Sequence, residues 1–560
     1  MKPPELQRAL EMLAGGDAAG AAAACAAVLQ SQPDNAAAHC GLGAARRVQQ
    51  KISEAAKHFR YAVDLAPDCV DALVGQGECC LDLGELDDAR DCFELARAHA
   101  PESVAALCGL GRWFRVTGDF SAAVQAFRHA LDLSGSDADI YFELGLALNG
   151  AEDTAGAVDA YEHALAIAPR HLGALVNLGL VCLTQSVDHA RAQQLFEAAR
   201  TFHPDAVAAQ ANYGLALQEQ GHFGQAIAHY DALIARQADV IEYRWNRALA
   251  CLYLGDYGNG WPDYELRHVR GGRDVRRDFG LPEWNGRNPA QPQLLVYAEQ
   301  GVGDEIMFAS CLPQLAAGAG GVVLECDPRL AGLFARSFPG IRVHGVARDG
   351  NRDWLRQHHA LDAQVAIGSL PRWLRKSAAD FPASAGYLMP DAARVAAWQQ
   401  RLAGGGSAVT IGLSWRGGTR KTRAGLRSLE LADFLPLAGS RRRYVCLQRG
   451  DCNAEIKAAR NAGMEILHWP EALDDLEETA ALIAALDRVI SVDNTVVHLA
   501  GALGKPCWTL LASMPDWRYG LEGASMPWYP SLHLFRQPRS RDWSPVIAAV
   551  AGELAAFAAS

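Results

Sequence analysis

The chain has 560 residues, half of them hydrophobic, too many for one core and too apolar for disorder on a large scale. At least two folded regions are expected. A formal charge of -12 excludes general nucleic-acid binding, which needs a basic face able to displace counterions from phosphate.

The amino end, MKPPELQRAL, has no apolar core of signal-peptide length, and charges interrupt the Ala-rich stretches that follow. A cytoplasmic protein without membrane insertion is expected. Self-similarity then dominates the first half. Pro33, Pro67, Pro101, Pro169 and Pro204 recur at 34, 34, 68 and 35 residues, with Gly135 where a proline is skipped. Gly43, Gly77, Gly111, Gly145, Gly179 and Gly214 occupy one repeat position, a small residue that lets paired helices approach. Ala55/Phe59/Ala62, Ala89/Phe93/Ala96, Ala123/Phe127/Ala130 and Ala157/Tyr161/Ala164, spaced by four and three, form one apolar stripe on a second helix.

Small residues at contacts, one aromatic plug and a proline between units make a pattern similar to the tetratricopeptide repeat. Six units are clear from about residue 36 to 238, with weaker end units acting as caps. The stripe is core, so function must lie on other faces. The resemblance implies a protein partner on the concave face, although a purely structural arm is also open. The solenoid is expected over residues 1–270.

The fourteen cysteines are scattered, form no C-x-x-C and often hold small-residue helix positions such as Cys25, Cys92 and Cys108. Reduced structural thiols are expected. His358-His359 has no Glu or Cys at ligand spacing, so no metal site is expected.

Around 270 the period stops, and residues 271–292, rich in Gly, Pro, Arg and Asn, read as a linker. Short apolar runs then alternate with helical patterns. The runs 294–298, 322–325, 341–344 and 363–367 form one series; 409–415, 444–448, 465–468, 488–492 and 507–511 form another. Strand alternating with helix means parallel α/β sheets. Two Rossmann-like lobes are expected, 293–390 and 391–560, with ligands at the carboxyl ends of the strands and a final helix from Pro545.

Three motifs carry a further resemblance: AEQGVGDEIMF (298–308), IGLSWRG (411–417) with Arg427-Ser428, and SVDNTVVHLAGALGKP (491–506). They are similar, in order, to the first loop, donor-phosphate loop and signature segment of family 9, heptosyltransferase-like glycosyltransferases. The likeness implies a GT-B fold, a nucleotide-sugar donor as substrate, inverting chemistry and no metal requirement. Known relatives with repeats attached include bacterial flagellin glycosyltransferases, whose donors include CMP-linked nonulosonic acids. The implied function is transfer of a sugar to Ser or Thr of a protein held by the repeats, with flagellin one acceptor. A lipopolysaccharide or other glycan acceptor, and a non-catalytic scaffold, are the competing readings.

Gly301 and Gly303 permit a tight strand-to-helix turn with backbone N–H groups facing the cleft. The family places a carboxylate at Asp304, the candidate catalytic base, although Asp304 can equally cap the following helix. The loop is not a dinucleotide fingerprint, because Ile306 stands where the third glycine belongs. Residues 405–445 hold eight Arg/Lys against two acids. Arg416 and Lys421, after a strand end, suit a donor phosphate, and Ser414 shares their loop. Asp493 ends a strand and can accept sugar or ribose hydroxyls. Asn494 and Thr495 open a helix whose N–H groups can hold phosphate, unless Thr495 is simply an N-cap. His498, one turn in, is either a donor ligand or a satisfied core histidine. Trp517 in PDWR (515–518) offers an aromatic face or another core side chain.

Overall fold

The structure, a computed structural model, describes residues 4–186, 188–270, 276–287, 291–348, 350–358, 360–383, 386–403, 408–418, 424–439, 441–538 and 542–557. Lys421 lies outside them, as do Gly271, Gly272, His359, Gly404, Gly405, Gly406, Arg420 and Arg423. The chain forms two compact units, Met1–Ala216 and Leu217–Ser560.

The first unit is built of helix pairs such as Val70–Leu83 with Leu86–His99, and Val104–Thr117 with Phe120–Ser134. The predicted stripe is its core: Ala89, Phe93 and Ala96 are fully buried, as are Ala123, Phe127 and Ala130. The recurring glycine is a socket for the aromatic. A Cβ on Gly77 would stand 2.7 Å from the Phe93 ring, and one on Gly109, in the next helix, 2.4 Å. Each ring is thereby clamped between two backbones, and its burial stabilises by about 1.5–3 kcal/mol. Asp119 and Asp153 cap second helices through their carboxylates.

The second unit begins before the predicted boundary near 270. It opens with the helices Phe223–Arg236, Ile241–Tyr253 and Tyr257–Tyr264 and the short 3₁₀ turn Glu265–His268, and Leu252, Tyr257, Trp261 and Tyr264 belong to one core with the α/β part. Trp261 is buried, donates Nε1–H to the Arg375 carbonyl at 2.6 Å and meets Trp517 edge-on. The Arg267 guanidinium, equally buried, donates to both oxygens of buried Glu299, with 2.7 Å the shortest contact, and to Ser369 Oγ at 2.7 Å. The period-34 count reads these helices as a degenerate last repeat, and their Trp261 and Arg267 side chains are in addition buried against the α/β part.

Among the described residues ten strands follow: β1 Gln293–Tyr297, β2 Gly321–Cys326, β3 Ile341–Gly345, β4 Ala363–Ala366, β5 Val409–Ser414, β6 Arg442–Cys446, β7 Ile466–Leu467, β8 Arg488–Val492, β9 Cys507–Leu511 and β10 Leu532–Arg536. They form two sheets, ordered β3-β2-β1-β4 and β10-β9-β8-β5-β6-β7, and every pairing is parallel. The α + α/β class read from the sequence is therefore the observed one. The sequence missed β10, the edge strand of the second sheet. Residues 276–287 of the expected linker run beside β4 because the buried Gln364 amide needs partners: it donates to the Arg277 carbonyl at 2.7 Å and accepts from Phe279 N–H at 2.9 Å. The last helix, Ser544–Phe557, covers the second sheet through Val546, Ile547, Val550 and Leu554.

Candidate active site

The carboxyl end of β1 runs into a loop where Gln300 has φ +61°, a left-handed conformation strained for glutamine. Gly301 then caps the helix Val302–Phe308, and the Asp304 carboxylate accepts from the Gly301 N–H at 3.1 Å. The capping role left open for Asp304 is thus realised. Its other oxygen accepts from Arg518 at 2.6 Å, and Arg518 also pairs with Asp516 at 3.1 Å. Burial alone would lower the Arg518 pKa, but Asp516 and Asp304 reverse the shift and raise it. Arg518 lies in the PDWR segment after β9, so this pair joins the ends of strands from both sheets.

Gly303 is the second junction. A Cβ there would stand 3.0 Å from His498 Cδ2, so the helix Val302–Phe308 abuts the helix Thr495–Ala502 closely enough that the histidine would have to shift to admit even a methyl group. His498 is buried, and its Nδ1 lies 3.0 Å from the Tyr529 hydroxyl. Burial, reinforced by Arg518, pushes its pKa down to about 4, so the ring is neutral at pH 7. This is the satisfied core environment, one of the two the sequence left open. Trp517 is likewise core, packed against Trp261, Tyr264 and Trp528.

The second sheet gathers the remaining candidates at the ends of β5 and β8. Ser414 is buried; its hydroxyl accepts from Asn494 Nδ2 at 2.8 Å and donates to Gln448 Oε1 at 3.2 Å. Gln448 Oε1 also accepts the N–H groups of Trp415 and Arg416, at 3.1 and 2.8 Å, and so shapes the turn after β5. Asn494 caps its helix through Val496 N–H and donates to the Arg416 carbonyl. Thr495 is exposed at the first helical position; Asn494, not Thr495, is the cap. Gly417 passes so close to β8 that a Cβ would sit 2.3 Å from the Asp493 carbonyl oxygen.

Asp493 is buried and held on both oxygens, by Arg427 at 2.7 Å and by the Tyr519 hydroxyl at 2.7 Å. Arg416 extends the other way, pairing with Glu455 at 3.1 Å and donating to the Asp451 carbonyl at 3.2 Å. Gly301, Gly303, Asp304, Asp493 and His498 are therefore linked through Arg518, Tyr519 and Tyr529, while Ser414, Asn494 and Arg416 meet through Gln448. Sequence reasoning missed Gln448, Tyr519 and Tyr529. The one signal for Gln448 is an amide at the end of the apolar run 444–448, two residues past the end of β6.

Beside β1–β3 lies a cavity of about 410 Å³ lined by Gly301, Glu305, Asp327, Arg329 and Arg348. Glu305 is buried, accepts the Asp327 N–H at 2.9 Å, and is pushed by burial to a pKa of about 8. It is mostly protonated at pH 7.

Comparisons with known proteins find two kinds of segment in the chain. Tetratricopeptide repeat matches fall at residues 6–68, 42–104, 81–138, 108–171 and 214–273, and Glycosyltransferase family 9 (heptosyltransferase) matches residues 457–541. Protein FlbA of Caulobacter vibrioides is 34% identical over 399 residues, which is 67% of this chain and 65% of that protein, so the chain spans somewhat less than two thirds of its length. A tetratricopeptide repeat protein from Parabacteroides merdae is 16% identical over 44% of this chain and 97% of its own, with a TM-score of 0.36. TTC0263, a thermophilic repeat protein from Thermus thermophilus, is 18% identical over 33% of this chain and 100% of its own, with a TM-score of 0.31. No helix among the described residues is long and apolar enough to cross a membrane. The chain carries tetratricopeptide repeats and a segment that matches glycosyltransferase family 9 (heptosyltransferase).

Proposed function

We propose that this protein is a GT-B glycosyltransferase that moves a sugar, with inversion, from a nucleotide-sugar donor to a Ser or Thr hydroxyl of a protein bound by its repeats. The observation that carries this reading is the convergence of β1, β5, β8 and β9, by their carboxyl ends, on the pairs Asp304–Arg518 and Asp493–Arg427. In parallel α/β sheets that edge is where ligands bind.

In this scheme Asp304 takes the acceptor proton, for which it must exchange the Arg518 contact for the incoming hydroxyl. Arg416, Lys421, Arg427 and the exposed start of the helix Thr495–Ala502 hold the donor phosphates, with Ser414 and Asn494 fixing the loop. No metal is assigned a step. The repeats supply a partner surface: a groove of about 1030 Å³ has apolar walls at Leu6, Leu10, Val48 and Val74, with Arg47 beside them. Flagellin is the acceptor to test first.

A thermal-shift screen of UDP-, GDP-, ADP- and CMP-sugars, followed by intact-mass analysis of co-expressed flagellin, tests both halves. One donor should stabilise the chain, and flagellin should gain the mass of that sugar. A donor that binds without modifying flagellin would retain the transferase and reject this acceptor.

A further inference from the structure

Away from these pairs, the described residues hold one cluster of three His, Cys or acidic side chains whose ligand atoms are close enough to share a cation. Cys446 Sγ, Cys452 Sγ and His468 Nε2 all lie within 4.8 Å of one another. Neither a C-x-x-C nor any other short spacing announces them. Cys446 ends β6, Cys452 precedes the helix Asn453–Asn461, and His468 follows β7, which pairs with β6.

The distances are those of a coordination sphere. The sulfurs are 3.7 Å apart, and Cys452 Sγ is 3.8 Å from His468 Nε2. Zinc at about 2.3 Å from sulfur and about 2.0 Å from nitrogen, with tetrahedral angles, separates its ligand atoms by about 3.5–3.8 Å. The Gln448 carbonyl oxygen lies 3.8 and 3.9 Å from the two sulfurs, where a fourth ligand belongs. Two thiolates and a neutral imidazole balance a divalent charge, and their softness selects zinc over magnesium or calcium.

We propose that Cys446, Cys452 and His468 bind one zinc ion, with the Gln448 carbonyl or a water in the fourth position. Binding forms two Zn–S bonds and one Zn–N bond and releases two thiol protons to solvent. The site is structural: it ties β6, β7 and the following helix to the residue whose side chain holds the Trp415 and Arg416 N–H groups. It takes no part in the transfer proposed above and stands without it.

The test uses the full chain, purified reduced and free of chelator, titrated with cobalt(II) as the probe. One equivalent should produce a thiolate-to-cobalt charge-transfer band that zinc removes. Cys452→Ser and His468→Ala should each weaken cobalt binding by about 100-fold or more, whereas Cys25→Ser, in the repeats, should change nothing. The wild-type titration decides even where a variant misfolds: no thiolate band, or a Cys446–Cys452 disulfide in freshly isolated protein, overturns the proposal. A band that survives in folded Cys446→Ser/Cys452→Ser protein overturns it as well.

Discussion

Gly303 and His498 meet where the two sheets join, with 3.0 Å between the position a Cβ would take and His498 Cδ2. Gly303→Ala gains about 1 kcal/mol of helix propensity but costs about 1–3 kcal/mol in overpacking, because Tyr529 holds the histidine in place. A lower Tm is expected. His498→Ala should remove the clash, so the double variant should be more stable than the sum of the single effects predicts. Strict additivity in denaturant melts would mean that the contact does not constrain the junction.

Asp304→Asn keeps an oxygen to accept the Gly301 N–H and loses the charge that faces Arg518. Donor affinity should stay within about threefold while kcat falls by about 10²–10⁴. Stopped turnover assays with calorimetry on the same preparation separate the two quantities. Full turnover in the variant would leave Asp304 as a helix cap alone.

Arg416 faces a choice between Glu455 and a donor phosphate. Arg416→Ala should weaken donor binding by about tenfold or more, the worth of a hydrogen bond to a charged group. Glu455→Gln should tighten it, since a competing carboxylate is gone. Calorimetry that finds Glu455→Gln neutral and Arg416→Ala harmless would remove Arg416 from the donor site.

The strands and repeats were legible because each rests on a local period. Nine of ten strands are apolar runs, and the Ala/Phe/Gly positions recur every 34 residues. β10 escaped because Leu-His-Leu-Phe-Arg alternates like an edge strand and follows an aromatic stretch. The site was legible only at strand ends and glycine loops. Arg518 meets Asp304 across 214 residues, and Tyr519 meets Asp493 across 26, pairings that no spacing announces. The break in the period near 270 does not show that the last helices share a compact unit with the sheets, since Arg267 and Trp261 find their partners only once the sheet exists.

A fragment beginning at 280 should therefore fail where one beginning at 217 folds. The shorter piece strands Glu299, a buried carboxylate, without Arg267, a loss of about 3–5 kcal/mol, and empties the space filled by Trp261. Circular dichroism melts of the two fragments provide the check. Equal Tm values would show that residues 217–279 are dispensable to the α/β part.

Glu305 and His498 set opposite pH trends. Glu305 has its pKa raised to about 8, so its stabilisation is complete below its ordinary value near 4.5 and is lost as pH rises through 8. His498, lowered to about 4, contributes above 6.5 and loses that contribution as pH falls toward 4. Glu305→Gln, which can still accept the Asp327 N–H, should raise Tm at pH 8.5 and leave it unchanged at pH 4. An unchanged Tm at pH 8.5 would show that Glu305 ionises without cost.

The central claim is transfer from a nucleotide sugar, and the most direct measurement is release of free nucleotide from the donor chosen by thermal shift, followed with acceptor present for the full chain and for Asp304→Asn. The account predicts that both proteins bind the donor and only the wild type releases nucleotide together with a sugar-bearing acceptor. Absence of binding to every UDP-, GDP-, ADP- and CMP-sugar, or equal release by the two proteins, would contradict it.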